Sequence, residues 1–209
     1  MAKKKSTIIK DTTILLIITI VSGFALASIN KVTTEPIAFA RTEEKNKAYR
    51  SIFKEADTFE ENEILTEKCK SSEGFLKEKG FNGTEVNEAL IAKSNNETIG
   101  FIINSTSPNG YGGDIEISLG IDKEGVIQGF EILSISETVG LGMKAKEESF
   151  KSQFAGKKVK VIKYTKSGKP SEDEINAVSG ATITTTAITE AVNSALAYEE
   201  EYILGKEDF

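Results

Sequence analysis

The sequence predicts an α+β domain of mostly antiparallel strands with flanking helices, preceded by one N-terminal transmembrane helix. Three observations carry this. Residues 12–29 (TTILLIITIVSGFALASI) hold no charge over 18 positions, the length and polarity of a helix that crosses the hydrocarbon core of a bilayer. Ile115, Ile117, Leu119 and Ile121 recur at every second position, the pattern of a strand with one buried face. Ile183, Ala187, Ile188, Ala191, Val192, Ala195 and Leu196 fall on one side of a 3.6-residue repeat, the stripe of a helix packed on a core.

Residues 1–11 form a short basic segment with Lys3, Lys4, Lys5 and Lys10. Lysines ahead of an apolar span favour a cytoplasmic N-terminus with the remainder of the chain outside. Ala25-Leu26-Ala27 also fits the small-x-small cleavage pattern of a signal peptide. The apolar run, however, exceeds the roughly 7–15 residues of a signal core and continues through Ile29, which favours a retained anchor over residues 12–30. Residues 31–86 read as a juxtamembrane helix and connector. Residues 37–56 lack Gly and Pro and place Ile37, Ala40, Ala48, Tyr49, Ile52 and Phe53 for partial packing. Residues 57–86 are charged and irregular, with turn signals at Lys79-Gly80 and Asn82-Gly83.

Residues 87–209 read as the folded domain. Strands are expected at 89–92 and 98–104 around the polar Ser94-Asn95-Asn96-Glu97, and the alternating strand ends at Asp122. Asp122-Lys123-Glu124-Gly125 turns the chain into residues 126–135, which are apolar on both faces and predict a covered strand. Pro108-Asn109-Gly110-Tyr111-Gly112-Gly113-Asp114 is a glycine-rich loop, as turn chemistry requires. Ser136-Glu137-Thr138-Val139-Gly140-Leu141-Gly142-Met143-Lys144 leads into a short helix over 147–154, and one more strand is expected at 157–164. The final helix starts near Thr182 and is expected to end at Gly205, with Glu199-Glu200-Glu201 as a solvated tail. The Asn-x-Ser/Thr triplets at Asn82, Asn96 and Asn104 are read as loop residues.

Composition removes several kinds of function. The first 30 residues carry four lysines and one aspartate. The remainder therefore holds 22 basic and 31 acidic residues, a balance of −9. Such a body argues against a nucleic-acid partner, because phosphate backbones select Lys/Arg patches. The chain has no histidine and one cysteine, Cys69. That excludes a Ser-His-Asp or Cys-His apparatus, a Cys/His zinc site and an intrachain disulfide. Cys69 reads as a buried or incidental thiol. Chemistry carried by this chain has to come from a cofactor.

The stretch that offers a place for one is Asn176-Ala177-Val178-Ser179-Gly180-Ala181-Thr182-Ile183-Thr184-Thr185. A helix start exposes unpaired N–H groups and the positive end of the peptide dipoles, which together attract phosphate. Gly180 and Ala181 leave the main chain open to a ligand, and Ser179, Thr182, Thr184, Thr185 and Thr186 crowd the first turn with hydroxyls. By residue chemistry alone the same string also reads as a Ser/Thr-rich helix cap.

Ser179-Gly180-Ala181-Thr182 followed by Thr184 and Thr185 resembles the flavinylation motif of FMN-binding domains in the G subunit of Rnf complexes and the C subunit of the Na+-pumping NADH:quinone reductase. Two further matches occur in the family's order: Gly110-Tyr111-Gly112-Gly113, and Glu137-Thr138-Val139-Gly140-Leu141-Gly142, which resembles the family's Glu-Thr-Pro-Gly-Leu-Gly. Asn176 stands where the family usually has aspartate. The resemblance implies FMN held covalently through a phosphodiester to Thr182, with Ser179, Gly180, Ala181, Thr184 and Thr185 around it. It implies that Thr138 and Leu141 contact the isoalloxazine, that Gly140 and Gly142 let the main chain approach it, and that Glu137 and Tyr111 complete the pocket. It further implies an electron carrier of a membrane Rnf-type complex, which couples ferredoxin:NAD electron transfer to Na+ or H+ movement. Other membrane subunits are its implied partners, a flavin transferase its maturation factor, and the bacterial cell membrane its location, in single-pass topology with the FMN domain extracytoplasmic. Two alternatives stay open at this level: a relative of the C subunit of the quinone reductase, or a flavin-binding sensory membrane protein that carries no current.

Overall fold

The structure, a computed structural model, describes residues 2–206 and their side chains from Ile8 onward; Met1, the side chains of residues 2–7 in the basic segment, and residues 207–209 lie outside it. The chain divides into two compact units, Met1–Glu44 and Lys45–Phe209. The first is helical throughout its described length, as part of α1 (Ala2–Ile52), which continues past Pro36. Ile14, Leu15, Leu16, Ile17, Ile18, Ile20, Val21, Phe24, Leu26 and Ile29 are all exposed. Among the described residues this is the one helix long and apolar enough to cross a membrane by length and composition.

The second unit is built on five strands, β1 (Thr58–Glu61), β2 (Glu85–Ser94), β3 (Glu97–Gly110), β4 (Gly113–Asp122) and β5 (Ile127–Ser134), hydrogen-bonded in chain order. Every pairing in this sheet is antiparallel. Sequential hairpins need only short turns, which suits the Asn95-Asn96 turn, where both residues have positive φ, and the turn at Gly125. The sheet separates two apolar clusters. Ala89 and Ile91 of β2, Phe101 and Ile103 of β3, and Ile115, Ile117, Leu119 and Ile121 of β4 face the larger one, as the alternation predicts. That face is covered by α2 (Glu63–Glu78) and α4 (Thr182–Tyr202).

The opposite face receives Tyr49, Ile52, Phe53 and Ala56, which join Leu90, Ala92 and Ile102. Here Gly100, Gly120 and Gly129 lie on three successive strands and form the bed for Ile52 and Phe53. A Cβ on Gly100 would come within 2.6 Å of the Phe53 ring, closer than packed atoms tolerate. The polar end of this contact converges on one oxygen. Lys45 Nζ, Tyr49 Oη and Asn104 Nδ2 all donate to Glu88 Oε2, at 2.9, 2.9 and 2.7 Å.

Several segments differ from the sequence reading. Residues 57–86, read as connector, contain β1 and the amphipathic α2, which buries Leu65, Cys69 and Leu76 and is capped by Asn62, whose side chain accepts from the amides of Ile64 and Leu65. Asn104 is a buried residue of β3 rather than a loop residue. Of residues 157–164, only the end enters a strand: β6 (Lys163–Thr165) pairs in parallel with β7 (Glu174–Asn176). The backbone just before β6 is satisfied by a side chain instead. Asn193 accepts from the Ile162 N–H at 2.7 Å and donates to the Ile162 carbonyl at 2.9 Å, standing in for a neighbouring strand. The expected short helix is a 3-10 turn (Gly142–Lys146) followed by α3 (Glu148–Lys151). Glu199 is buried rather than part of a solvated tail.

Candidate functional site

Three segments meet at the start of α4: the β3–β4 hairpin tip, the loop after β5, and the turn after β7. They enclose a cavity of about 530 Å³ lined by Tyr111, Glu137, Thr138, Leu141, Gly142, Gly180, Ala181, Thr182, Ile183 and Thr184.

The hairpin comes first. Gly110 pairs with Gly113, so Tyr111 and Gly112 form a two-residue tip. Gly112 lies flush against the backbone of Ser136, where a Cβ would sit 2.7 Å from the carbonyl carbon. Glu137, itself buried, fastens this contact. Its Oε1 accepts the N–H of Tyr111 at 2.8 Å and of Gly112 at 3.3 Å. The base of the hairpin is tied to α4, because Ser107 Oγ and Asn109 Nδ2 donate to Glu190 Oε2 at 3.0 and 2.8 Å. Tyr111 itself is 72% exposed at the cavity mouth.

The loop after β5 turns at Gly140, whose φ is +80°, and the Leu141 and Met143 amides return to the Thr138 carbonyl. Gly142 then seats this loop on α4. A Cβ there would lie 2.7 Å from Glu137 Cβ, Glu137 Oε2 and Thr184 Oγ1. A side chain at 142 would therefore push the two walls of the cavity apart.

The third segment carries the hydroxyl-rich turn. Gly180 has φ of +75°, a conformation costly for other residues. α4 begins at Thr182 with Ala181 as its N-cap and no side-chain cap, and its first helical bond runs from Thr185 N–H to the Ala181 carbonyl. The amides of Thr182, Ile183 and Thr184 are thus left open. The hydroxyls divide into two groups. Thr185 accepts from the Val178 N–H at 3.0 Å and donates to the Ala181 carbonyl at 2.9 Å, and Thr186 and Thr189 donate to carbonyls one turn back. The hydroxyls of Thr182 and Thr184 make no hydrogen bond among the described residues. Both residues line the cavity.

The sequence-expected residues therefore sort by position. Tyr111, Glu137, Thr138, Leu141, Gly142, Gly180, Ala181, Thr182 and Thr184 are brought together around one cavity. Gly140 and Thr185 do not line it; Gly140 turns the loop after β5, and Thr185 braces the turn after β7. Ser179 is exposed and lines a second, smaller cleft with Lys166, Ala177, Val178, Gly180 and Thr182. Asn176 ends β7, where its N–H donates to Gln153 Oε1 at 2.6 Å. Ile183, read as part of the core stripe, is 53% exposed and lines the cavity. Helical periodicity could not separate it from Ala187, since its side of the first turn faces the cavity while Thr184 and Thr185 beside it are buried.

The uncapped start of α4 thus stands beside a cavity of small-molecule size, and residues 110–197 match the FMN-binding domain family, which makes this a cofactor-binding domain. The chain is 35% identical over 188 residues to the G subunit of the Na+-translocating ferredoxin:NAD+ oxidoreductase complex of Acetobacterium woodii, covering 88% of this chain and 87% of the relative. It is 30% identical over 204 residues to the G subunit of the proton-translocating ferredoxin:NAD+ oxidoreductase complex of Clostridium ljungdahlii, covering 98% of each. Among solved structures, the C subunit of the Na+-translocating NADH-quinone reductase of Parabacteroides distasonis shares the fold, with a TM-score of 0.50 and 23% identity over 56% of this chain and 63% of that one. The chain belongs to the G-subunit family of FMN-binding-domain proteins.

Proposed function

We propose that this chain is the FMN-carrying electron-transfer subunit of a membrane complex of the Rnf type, in which electron transfer between ferredoxin and NAD+ is coupled to Na+ or H+ translocation. Family membership supports the reading, and one observation carries it to the residue level. The unencumbered Thr182 hydroxyl stands at the uncapped start of α4, on the wall of a cavity of about 530 Å³, inside the roughly 300–1,000 Å³ range of small-molecule sites. A side-chain cap would occupy one or two of the first amides, whereas here no side chain competes with a phosphate for them.

In this reading the Thr182 hydroxyl oxygen is esterified by the FMN phosphate, and the open amides of Thr182, Ile183 and Thr184 hold the phosphate oxygens. Gly180 and Ala181 let the phosphate approach the main chain. Leu141 and Ile183 supply apolar walls for the ring system, with Tyr111 at the mouth and Thr138 and Thr184 as polar groups. Glu137 touches no reacting atom; it positions the hairpin tip against the loop after β5. When bound, FMN supplies the one- and two-electron chemistry that a chain without histidine, and with its one cysteine buried, does not have.

The partners in this reading are the other membrane subunits of the complex, together with a flavin transferase that forms the phosphodiester. The lysines ahead of the apolar segment support a single-pass anchor in the bacterial cell membrane, with a cytoplasmic N-terminus and an extracytoplasmic FMN domain.

The test is expression of the full chain with a flavin transferase, followed by denaturing electrophoresis. A fluorescent band that disappears in Thr182→Ala is expected, and a tryptic peptide containing Thr182 should gain the mass of one FMN. An unmodified wild-type peptide overturns the linkage. In membranes, Thr182→Ala should abolish ferredoxin-dependent NAD+ reduction, whereas a purely sensory flavin domain would leave it intact.

A further inference from the structure

Thr182 lies on the wall between two cavities. Besides the 530 Å³ cavity it borders a cleft of about 260 Å³ lined by Lys166, Ala177, Val178, Ser179, Gly180 and Thr182. The turn that separates them is thin, because Gly180 contributes no side chain and Thr182 is shared. The larger cavity has no cation in its lining and does contain the Glu137 carboxylate. The smaller cleft has one charged residue, Lys166.

The placement of Lys166 is built. β6, the strand before it, pairs with β7 in the register Thr165↔Asn176, and the Ala177 N–H extends the pairing by donating to the Thr165 carbonyl at 2.9 Å. On the α4 side, the hydroxyls of Thr186 and Tyr164 are hydrogen-bonded at 3.1 Å, with the Thr186 oxygen accepting because its own proton goes to the Thr182 carbonyl. Residue 166 is thereby carried alongside the 177–182 turn. Three neighbouring lysines are engaged elsewhere, since Lys163 pairs with Asp173, Lys160 with Glu200, and Lys157 donates to the Glu172 carbonyl, and of the lysines in this stretch only Lys166 lines the cleft beside Thr182. Lys166 has no carboxylate partner among the described residues.

We propose that Lys166 is the counter-ion of the flavin phosphate, reaching it from the smaller cleft while the ring system occupies the larger cavity. This rests on the FMN reading above and deepens it by naming a residue outside the resemblance motifs. A phosphate diester keeps one negative charge, and the monoester of free FMN carries more. The open amides of α4 satisfy part of that charge, and an ammonium hydrogen-bonded to a phosphate oxygen supplies the rest. The arrangement also gives a basis for selecting FMN over riboflavin. The two share the ring and ribityl chain and differ by the group that Lys166 would read.

The experiment uses the full-length chain in detergent, produced without a flavin transferase so that no covalent bond forms. Non-covalent affinity for FMN and for riboflavin is measured by flavin fluorescence, at low and high salt. The wild type should prefer FMN. Lys166→Gln should lose about tenfold in FMN affinity, the worth of one charge-assisted hydrogen bond, with riboflavin unchanged. Lys166→Arg should restore the preference, and the salt dependence of FMN binding should flatten only in Lys166→Gln. A wild type without preference for FMN, including one that binds neither flavin, overturns the proposal. So does a Lys166→Gln chain with the wild-type FMN-to-riboflavin ratio, or one that loses both flavins equally. The mass of the Thr182 peptide in transferase-matured protein separates the two levels. A modified peptide with an unaltered ratio removes Lys166 alone, and an unmodified peptide removes the reading beneath it.

Discussion

Glu137 Oε1 accepts the backbone N–H of Tyr111 at 2.8 Å, across 26 residues of sequence. The bond joins the loop after β5 to the β3–β4 hairpin, so one buried carboxylate sets the distance between two walls of the candidate flavin site. Glu137→Gln keeps the shape and an acceptor oxygen but loses the charge. It should lower stability by about 1 kcal/mol, read as the urea midpoint of unfolding, and raise the anisotropy decay rate of bound flavin as Tyr111 loosens.

Gly142 lacks positive φ, so its requirement is one of space alone. Gly142→Ala sets a methyl group 2.7 Å from Glu137 Oε2 and Thr184 Oγ1, and such overpacking costs about 1–3 kcal/mol. The thermal midpoint should fall, and flavin attachment per folded chain should fall with it. A variant with wild-type stability and attachment would show that the two walls do not need this contact.

Asn193 should be indispensable for the segment before β6. Asn193→Ala leaves the N–H and carbonyl of buried Ile162 without their partners, at about 2–4 kcal/mol for two buried groups. Equilibrium denaturation measures the loss, and hydrogen exchange at Ile162 should accelerate.

Glu199 provides the pH dependence. Burial first, then the nearby Glu200 and Asp122 carboxylates, push its carboxyl from an ordinary value of 4.5 up to about 7, and Lys158 opposes this only in part. A carboxyl that is harder to ionise in the folded state binds more protons there than in the unfolded chain over that interval. Stability is therefore greatest below about pH 4.5 for this group and declines as pH rises through about 7, by at most about 3 kcal/mol. Glu199→Gln should flatten that decline and raise the midpoint of unfolding at pH 8, measured as a pH series of thermal melts.

Much of the sheet and its closing helix could be read from period alone, because Ile115, Ile117, Leu119 and Ile121 fill one face and α4 starts at Thr182 as its turn residues indicate. The missed elements failed for identifiable reasons. β1 is a four-residue edge strand with largely exposed side chains, and α2 spreads its buried Leu65, Cys69 and Leu76 among so many charged residues that composition hid the stripe. Nor could local sequence show that Gly100, Gly120 and Gly129 share a bed for Ile52 and Phe53, since only the sheet register brings them side by side. At the site, the motifs point to nine residues that the fold gathers around one cavity, whereas Ile183 depends on which side of the first turn of α4 faces that cavity, and Lys166 on where β6 ends beside the turn after β7.

The two bonds of Thr185 have a consequence for maturation. By bracing the Val178-to-Ala181 turn from its inner side, this threonine holds the turn's contour with protein contacts alone. Under the proposed function, a flavin reaching this turn would meet a segment already ordered, its conformational entropy spent when the polypeptide collapsed.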